Sequence, residues 1–256
     1  MTPKLSILLP VRNEGMNLKI MLKILRAVLD VSHEVLVVHD DPTDTSISVV
    51  QQAQTDYPNV RLIHNRRGRG VINALLEGVN RARGEFILIF AADEVGPVLA
   101  IEEMLQLAAE GCDFVSCTRY AHGGRRLGGS FLGGVLSRTA NYLFHKFTGA
   151  VLTDSTTGIK LIRKTFFESL KLESSPVGWV VAFELGIKAQ VAGIRLGEVP
   201  IVSIDRLYGG KSTFRLGQWV IEYLKWFLWG VRELWTTKNR STVTVRTSEY
   251  FQGKAA

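Results

Sequence analysis

The chain has 256 residues, 46% of them hydrophobic and 21% charged, which is enough for one large domain with an ordinary buried core and shows no disorder or repeats. Two cysteines, Cys112 and Cys117, are too few for a disulfide framework and wrongly spaced for a zinc or redox motif, which points to a reducing, cytosolic setting. The formal net charge of +7 favours anionic partners. The basic residues fall in short groups (Arg66, Arg67 and Arg69; Arg125 and Arg126) without a helix-turn-helix or stacking platform, so nucleic acid is not expected.

In chain order, Met1 leads almost at once into LSILLPV, with no small-residue cleavage site before the polar RNEG, so the opening reads as a strand and not a signal peptide. Then follow a helix from about Glu14, EVLVVH, a helix through SISVVQQA, NVRLIH, VINALLEGVNRA, EFILIFAAD, VLAIEEMLQLAAE and DFVSCT. Short apolar runs alternating with amphipathic stretches predict a mostly parallel sheet with helices on both faces.

Ligands of such sheets sit beyond the carboxyl ends of the strands. The polar groups there are Arg12 to Glu14, His39 to Asp44, Asn65 to Gly70, and Asp93 with Glu94. Any one of them serves equally as a helix cap or turn residue. Four clusters at one rim favour a shared site for an anionic ligand and a metal.

After Tyr120 the pattern changes. AHGGRRLGGSFLGG is glycine-rich and basic, a helix-like run spans Leu136 to Phe147, and TDSTTGIKLIRK reads as a polar loop entering a short strand. A helix near Val180 to Val191, the strand IRLGEVPIVSI and a basic loop, DRLYGGKSTF, complete this part. Phe214 to Trp235 then holds four of the five tryptophans, at 219, 226, 229 and 235. Glu222, Lys225, Arg232 and Glu233 interrupt it, leaving no apolar stretch of about 18 residues to span a bilayer. An amphipathic helix at a water–lipid boundary suits its Trp and Tyr content; a helix docked on the protein's own core and a dimer contact are the alternatives. Beyond Thr237 the polar tail, with EYFQGKAA, is expected to fray.

Magnesium or manganese prefers hard oxygen ligands and shares its shell with substrate phosphates, so one or two carboxylates at a strand end suffice. Asp93 is the best candidate. RRGRG, opening the next helix at Gly70, offers backbone N–H groups to phosphate but lacks a Walker pattern.

The order LLPVRNEG, VVHDDPTDTS, GRGVINALLEGVNRARGEFILIFAADE, CTRY, TDSTTGIKLIRK and ELGIKAQVAGIRLGEVPIVSIDRLYGGKST is similar to the dolichol-phosphate mannosyltransferase-like members of glycosyltransferase family 2. The resemblance runs over about residues 4 to 215, and its most specific part is the Glu-Val-Pro-Ile strand leading to Asp-Arg and Gly-Lys-Ser. It implies an α/β A-type glycosyltransferase, with a nucleotide-sugar-binding half at 1–125, an acceptor-binding half of the same catalytic domain at 126–213, an aromatic interfacial helix at 214–236 and a flexible tail at 237–256.

By that resemblance Pro10, Asn13 and Glu14 form the first nucleotide-contacting loop, and Asp40 and Asp44 contact base or ribose. Gly70, Ala92 and Asp93 complete the donor set. The family's Asp-Asp-Gly-Ser is here His39-Asp40-Asp41-Pro42, which unsettles base preference. Asp93 matches the second acid of the Asp-x-Asp metal motif while Ala91 takes the place of the first, so Mg2+ or Mn2+ must lean on Asp93, Glu94 and the donor phosphates. Arg119 follows the fifth strand. Arg138, Asn141, Asp154, Lys160, Glu184 and Ser212 fall on acceptor-side positions, with Lys160 replacing an arginine and losing its bidentate fork. Arg119, Arg206 and Lys211, with Asp93, would carry catalysis.

The implied activity is inverting transfer of a hexose from a nucleoside diphosphate sugar, of the GDP-mannose or UDP-glucose type, to a polyprenyl phosphate by an enzyme peripherally bound at the cytoplasmic face of a membrane. A lipid phosphate is already an anionic nucleophile, so no general base is needed. One alternative is transfer to a glycan or lipid hydroxyl with Asp154 as base. Another is a non-catalytic nucleotide-sugar-binding homologue, motivated by Ala91 and the HDDP segment.

Overall fold

The fold was analysed in a computed structural model that describes residues 2–128, 131–176, 178–204, 216–237 and 241–248. Strands β1 (Leu5–Pro10), β2 (His33–His39), β3 (Val60–His64) and β4 (Phe86–Ile89) alternate with helices α1 (Gly15–Val28), α2 (Ser46–Ala53) and α3 (Val71–Arg81). Every residue of β2 is buried, as expected of a strand covered on both faces. A 3-10 turn at Gly96–Ala100 and α4 (Ile101–Ala109) lead to β5 (Phe114–Thr118). The second half contributes β6 (Arg125–Leu127), α5 (Phe131–Thr148), β7 (Lys160–Arg163), α6 (Lys164–Ser169), α7 (Val180–Val191), β8 (Leu196–Pro200), β9 (Val202–Ile204), α8 (Leu216–Thr236) and β10 (Val243–Val245).

Eight strands form one sheet in the order β10-β8-β5-β7-β4-β1-β2-β3. All its pairings are parallel except those of β7, which runs antiparallel between β4 and β5. The register Leu8↔Leu36 and Leu8↔Ile89 puts successive layers of aliphatic side chains on both faces. On one face Leu5, Ile7 and Leu9 pack with Leu18, Met21 and Leu25 of α1 and Met104 and Leu107 of α4. On the other, Leu8, Leu36 and Ile87 pack with Ile72, Leu75 and Val79 of α3 and Val181, Leu185 and Ala189 of α7. The alternation of β1 side chains between the two cores follows from the two-residue period of a strand.

Helix α7 is buried over ten of its twelve residues, because its outer side is covered as well. Phe144 of α5 and Trp226 of α8 join Val180, Phe183 and Ile187 in a third core. Thus α5 and α8 form an extra layer outside α7, and a helix apolar all round is accounted for by burial all round.

The strand–helix alternation predicted for the first half is found element by element. The second half differs in three places. The α5 helix starts at Phe131, earlier than the Leu136 expected, because GG within FLGGVL does not break it. IRLGEVPIVSI is two strands: Ile201 donates to Thr118 O at 2.9 Å and accepts from Arg125 N at 2.8 Å, after which β9 leaves the main sheet to pair with β6. The segment expected to fray from 237 onward includes β10, which pairs in parallel with β8 from Val243↔Leu196 to Val245↔Glu198; its three residues are too short a run to register as a strand in a polar context. Among the described residues no helix is long and apolar enough to cross a membrane.

Candidate active site

The polar residues at the carboxyl ends of the strands gather at one rim, on two sides of different construction. On the side of β1, β2 and β3, the turn after β1 is tied to the turn after β2. Asp44 is buried and accepts from Asn13 N at 3.0 Å and Ser46 N at 2.7 Å. Asn13, with φ 55°, returns a bond from Thr45 N through Oδ1 at 3.3 Å. Glu14 accepts from Asn17 Nδ2 at 2.7 Å. The carboxylate of Asp44 therefore joins two loops, while Asp40 stands half-buried just past the end of β2. Pro10 ends β1.

Gly70 does begin α3, as its place in RRGRG suggested, but the backbone it meets is the protein's own. Its φ is +121°, and an added Cβ would lie 2.5 Å from Cβ of Pro176. The close approach that only glycine permits is made to the loop preceding α7, which is a sufficient reason for this residue without a phosphate.

The segment after β4 has left the strand before Asp93. Glu94 N bonds Ala91 O at 3.4 Å in a turn, so Asp93 and Glu94 are not constrained to opposite faces as neighbours in a strand would be. Ala92 is buried beneath them, and Oε2 of Glu94 accepts from Ser203 Oγ at 3.1 Å. No group of three or more His, Cys, Asp or Glu side chains capable of holding an ion exists among the described residues. Two hard carboxylates in one turn fit an ion that takes its other ligands from phosphate and water, the habit of Mg2+; they do not make a self-sufficient cage.

The other side, between β5, α5 and β7, is closed and crowded with hydrogen bonds. Arg119, just past β5, grips Asp154 with Nε to Oδ2 at 2.7 Å and Nη2 to Oδ1 at 3.0 Å. Asp154 has no exposed surface and also accepts from Arg119 N at 3.2 Å, Asn141 Nδ2 at 3.2 Å and Thr156 Oγ1 at 3.0 Å. Burial disfavours its charge, but the Arg119 guanidinium outweighs burial and holds the carboxyl below its ordinary range. For Arg119 burial likewise acts against the charge and is overcome by Asp154, so its pKa is raised. Ser137, from the same side of α5 as Asn141, links Tyr120 Oη at 3.0 Å to Thr156 Oγ1 at 3.2 Å.

Glu198 lies under this pair. Its Oε1 accepts from Thr153 N at 2.8 Å and Asp154 N at 3.4 Å, and its Oε2 from Thr153 Oγ1 at 2.8 Å, with His122 Nε2 at 3.7 Å. Burial raises its pKa to about 7 against the opposing bonds of Thr153. Lys160 is fully buried, donates to Ser116 Oγ at 3.0 Å and sits 5.4 Å from the Phe114 ring centre. Burial brings its pKa down to about 8, with Asp154 opposing.

Of the acceptor-side residues inferred from sequence, Asn141 and Asp154 thus belong to one network. Lys160 is interior to it, Arg138 is exposed on α5, and Glu184 lies apart from it. Glu184 accepts from Glu173 N at 2.6 Å and Ser174 N at 2.9 Å and pairs with Lys188 at 2.7 Å, which fastens the loop before α7. Arg206, Lys211 and Ser212 lie outside the described residues. Glu198, Thr153, Thr156, Ser137 and Tyr120 were not singled out from sequence. A lone carboxylate in the otherwise apolar strand LGEVP was the available signal for Glu198, since a buried acid requires partners.

A profile described as glycosyl transferase family 2 matches residues 6–171. The dolichol-phosphate mannosyltransferase of Pyrococcus furiosus is 26% identical over 231 residues, covering 87% of this chain and 64% of its own length. That of Mycosarcoma maydis is 26% identical over 242 residues, covering 86% of this chain and 79% of its own. Glycosyltransferase AglD of Haloferax volcanii is 26% identical over 212 residues, 77% of this chain and 32% of its own. The chain therefore spans less than two thirds of the P. furiosus protein and about a third of AglD. Among solved structures, the glucosyl-3-phosphoglycerate synthase of Mycobacterium tuberculosis in complex with Mn2+, UDP and glucosyl-3-phosphoglycerate superposes with a TM-score of 0.70 at 15% identity, over 90% of this chain and 80% of that one. The same enzyme with Mg2+ and UDP gives 0.68 at 16%. At such identities the likeness establishes the shared fold.

Proposed function

We propose the following activity for the chain, which belongs to glycosyl transferase family 2: inverting transfer of a hexose from a nucleoside diphosphate sugar, of the GDP-mannose or UDP-glucose type, to a polyprenyl phosphate, by a protein held peripherally at the cytoplasmic face of a membrane. The observation that carries the reading is the saturation of Asp154. A hydroxyl acceptor needs a base to take its proton. Asp154, the carboxylate best placed for that task by sequence, is sealed from solvent, held ionised by Arg119 and engaged by donors on both oxygens. Glu198 is more basic but equally enclosed. A phosphate monoester arrives already anionic and needs orientation and charge stabilisation, not deprotonation.

In this mechanism Pro10, Asn13, Glu14 and Asp40 bound the nucleotide-sugar pocket, and the Asp44 bridge fixes its two loops. Asp93, assisted by Glu94, would hold Mg2+ or Mn2+ together with the donor pyrophosphate, and the bound ion would offset charge on the leaving group. Asp154 uses the Nε and Nη2 edge of Arg119, so Nη1 is without a partner among the described residues and is the donor left for a phosphate oxygen. Arg206 and Lys211 would supply the remaining positive charge and Arg138 a peripheral share. Names of the P. furiosus and M. maydis relatives support the acceptor, and the aromatic α8 supports the membrane surface.

The test is incubation of the purified full chain with radiolabelled GDP-mannose or UDP-glucose, a short polyprenyl phosphate and Mg2+ or Mn2+. Label moving into the butanol phase is expected; no transfer from any common nucleotide sugar overturns the proposal. A second reading, a homologue that binds nucleotide sugars without turnover, is favoured by Ala91, and calorimetric binding of the sugar nucleotide without any transfer would select it.

A further inference from the structure

The rim opposite the candidate active site, at the amino ends of β1, β2 and β3, holds a cavity of about 600 Å³. Its wall is drawn from the segments that lead into strands. Pro3 precedes β1, Ser32 precedes β2, Asn59 precedes β3 and Arg83 precedes β4, while Glu34 and Arg61 are the second residues of β2 and β3. Small-molecule sites commonly have volumes of about 300–1,000 Å³. None of these residues has a part in the proposed transfer.

Glu34 is the buried member of the wall, 5% exposed, and its oxygens are engaged. Oε1 accepts from Ser6 Oγ at 2.8 Å and from Arg83 N at 2.6 Å, and Oε2 accepts from Arg61 Nη1 at 2.6 Å. Ser6 Oγ in turn accepts from Gly84 N at 2.8 Å. A Cβ on Gly84 would lie 2.6 Å from Ser6 N, so the segment that carries Arg83 is held against β1. His33, also in the wall, places Nδ1 2.6 Å from Val31 O and Nε2 against Tyr57 Oη. A carbonyl only accepts, so Nδ1 carries the hydrogen, and the Tyr57 phenol, whose pKa burial raises, donates to Nε2. With both nitrogens committed in this way the ring adds no charge.

The charge presented to the cavity is therefore positive. Glu34 is the one acid in the wall among the described residues, against two guanidiniums. Arg61 uses Nη1 for Glu34 and for Arg81 O at 3.1 Å, which leaves Nε and Nη2 without partners among the described residues. Arg83 contributes its backbone N–H to the network, and its side chain is exposed. Guanidinium N–H groups match the oxygens of a phosphate in paired bonds, and Ser32 and Asn59 add neutral groups able to donate. Packing accounts for Arg61, whose loss would leave the Glu34 charge buried alone, but it makes no call on the Arg83 side chain.

We propose that this cavity is a second small-molecule site, which takes a phosphorylated metabolite with its phosphate between Arg61 and Arg83 and its organic part along Ser32, Asn59 and Pro3. Inorganic phosphate alone would fill only a small part of the volume. The site goes beyond the transferase reading and does not rest on it. Strand β2 runs from Glu34 to His39, so the two sites stand at opposite ends of one strand.

The experiment is calorimetric titration of the full chain with glucose 6-phosphate, and with glucose as the uncharged control, in the presence of saturating UDP or GDP and Mn2+. Binding of glucose 6-phosphate and not of glucose is expected. Arg83→Ala should weaken it at least about tenfold, and Arg61→Lys, which keeps a cation for Glu34 but loses the fork, should weaken it as well. Amide resonances of Ser32, Asn59 and Arg83 should shift on titration while those of Asp93 and Arg119 do not. No binding of glucose 6-phosphate overturns the proposal. So does binding that the nucleotide displaces, binding that Arg83→Ala leaves intact, or shifts confined to Asp93 and Arg119.

Discussion

The two sides of the rim place their charged groups in opposite ways. Around Asp93, Glu94 and Asp40 the charged groups are half-buried and near turns, and among the described residues no three of them gather into a metal cage. Around Arg119 and Asp154 the charges are interior, paired and bonded on nearly every side. The open side depends on what the ligand brings, so its affinity should respond to metal and phosphate. The closed side is formed before any ligand arrives, so its residues should show their effects first in folding and only then in turnover. Preorganised charge of this kind costs no rearrangement at the moment of reaction.

The largest effect that could break this contrast is expected from Asp154→Asn. It leaves the Arg119 charge buried without its counter-ion, and urea unfolding should show a loss of about 3–5 kcal/mol. A stable Asp154→Asn protein with only turnover abolished would instead restore Asp154 as a catalytic base.

Next is the pH behaviour of Glu198. Its pKa is raised from an ordinary 4.5 to about 7 in the folded chain, so the stability it contributes is complete below the unfolded pKa and is lost as pH rises through about 7. Glu198→Gln keeps an oxygen for Thr153 N and Asp154 N and offers an amide to Thr153 Oγ1. Relative to that variant, the parent chain should lose up to about 3 kcal/mol between pH 4.5 and 7. Parallel stability profiles for the two proteins would show that Glu198 does not titrate there.

Gly70→Ala should cost about 1–3 kcal/mol, because φ of +121° and the 2.5 Å approach to Pro176 both resist a side chain. If Gly70 serves packing alone, nucleotide-sugar affinity in the folded fraction stays the same; a matching loss of affinity would return it to the phosphate site. The smallest change is expected from Ala91→Asp, which adds a carboxylate to the open side. Calorimetry should find UDP or GDP binding in Mn2+ tightened about tenfold with little change in its absence, and no change would show that the turn cannot direct a third oxygen at the ion.

The first half of the fold was legible because each of its elements announces itself by period. The four consecutive apolar residues Val35 to Val38 in β2 and the repeat Leu18, Met21, Leu25 in α1 need no distant partner to be read. Less was legible where meaning depends on long-range packing. Nothing in the sequence distinguishes Asp44, which joins loops, from Asp40, which does not, and nothing local shows that Gly70 is shaped by Pro176 more than a hundred residues away. Arg119, Asn141 and Asp154 were found by motif, yet their convergence on one carboxylate is a property of the sheet order. Glu198 lies inside the most specific motif, but a glutamate in a strand reads as a solvent-facing residue until the strand is seen to be paired on both sides.

That sheet order also bears on how the chain comes to be folded. Strand β7 lies between β4 and β5, and its partner residues Ile89 and Lys160 are 71 positions apart. While a nascent chain has emerged only through about residue 125, the adjoining edges of β4 and β5 have no strand between them, and open edges of this kind invite pairing with other chains. A fragment cut at 125 should therefore aggregate where the full chain does not. By this order residues 1–125 would be a unit of sequence but not of folding, with β7 the piece that closes the sheet.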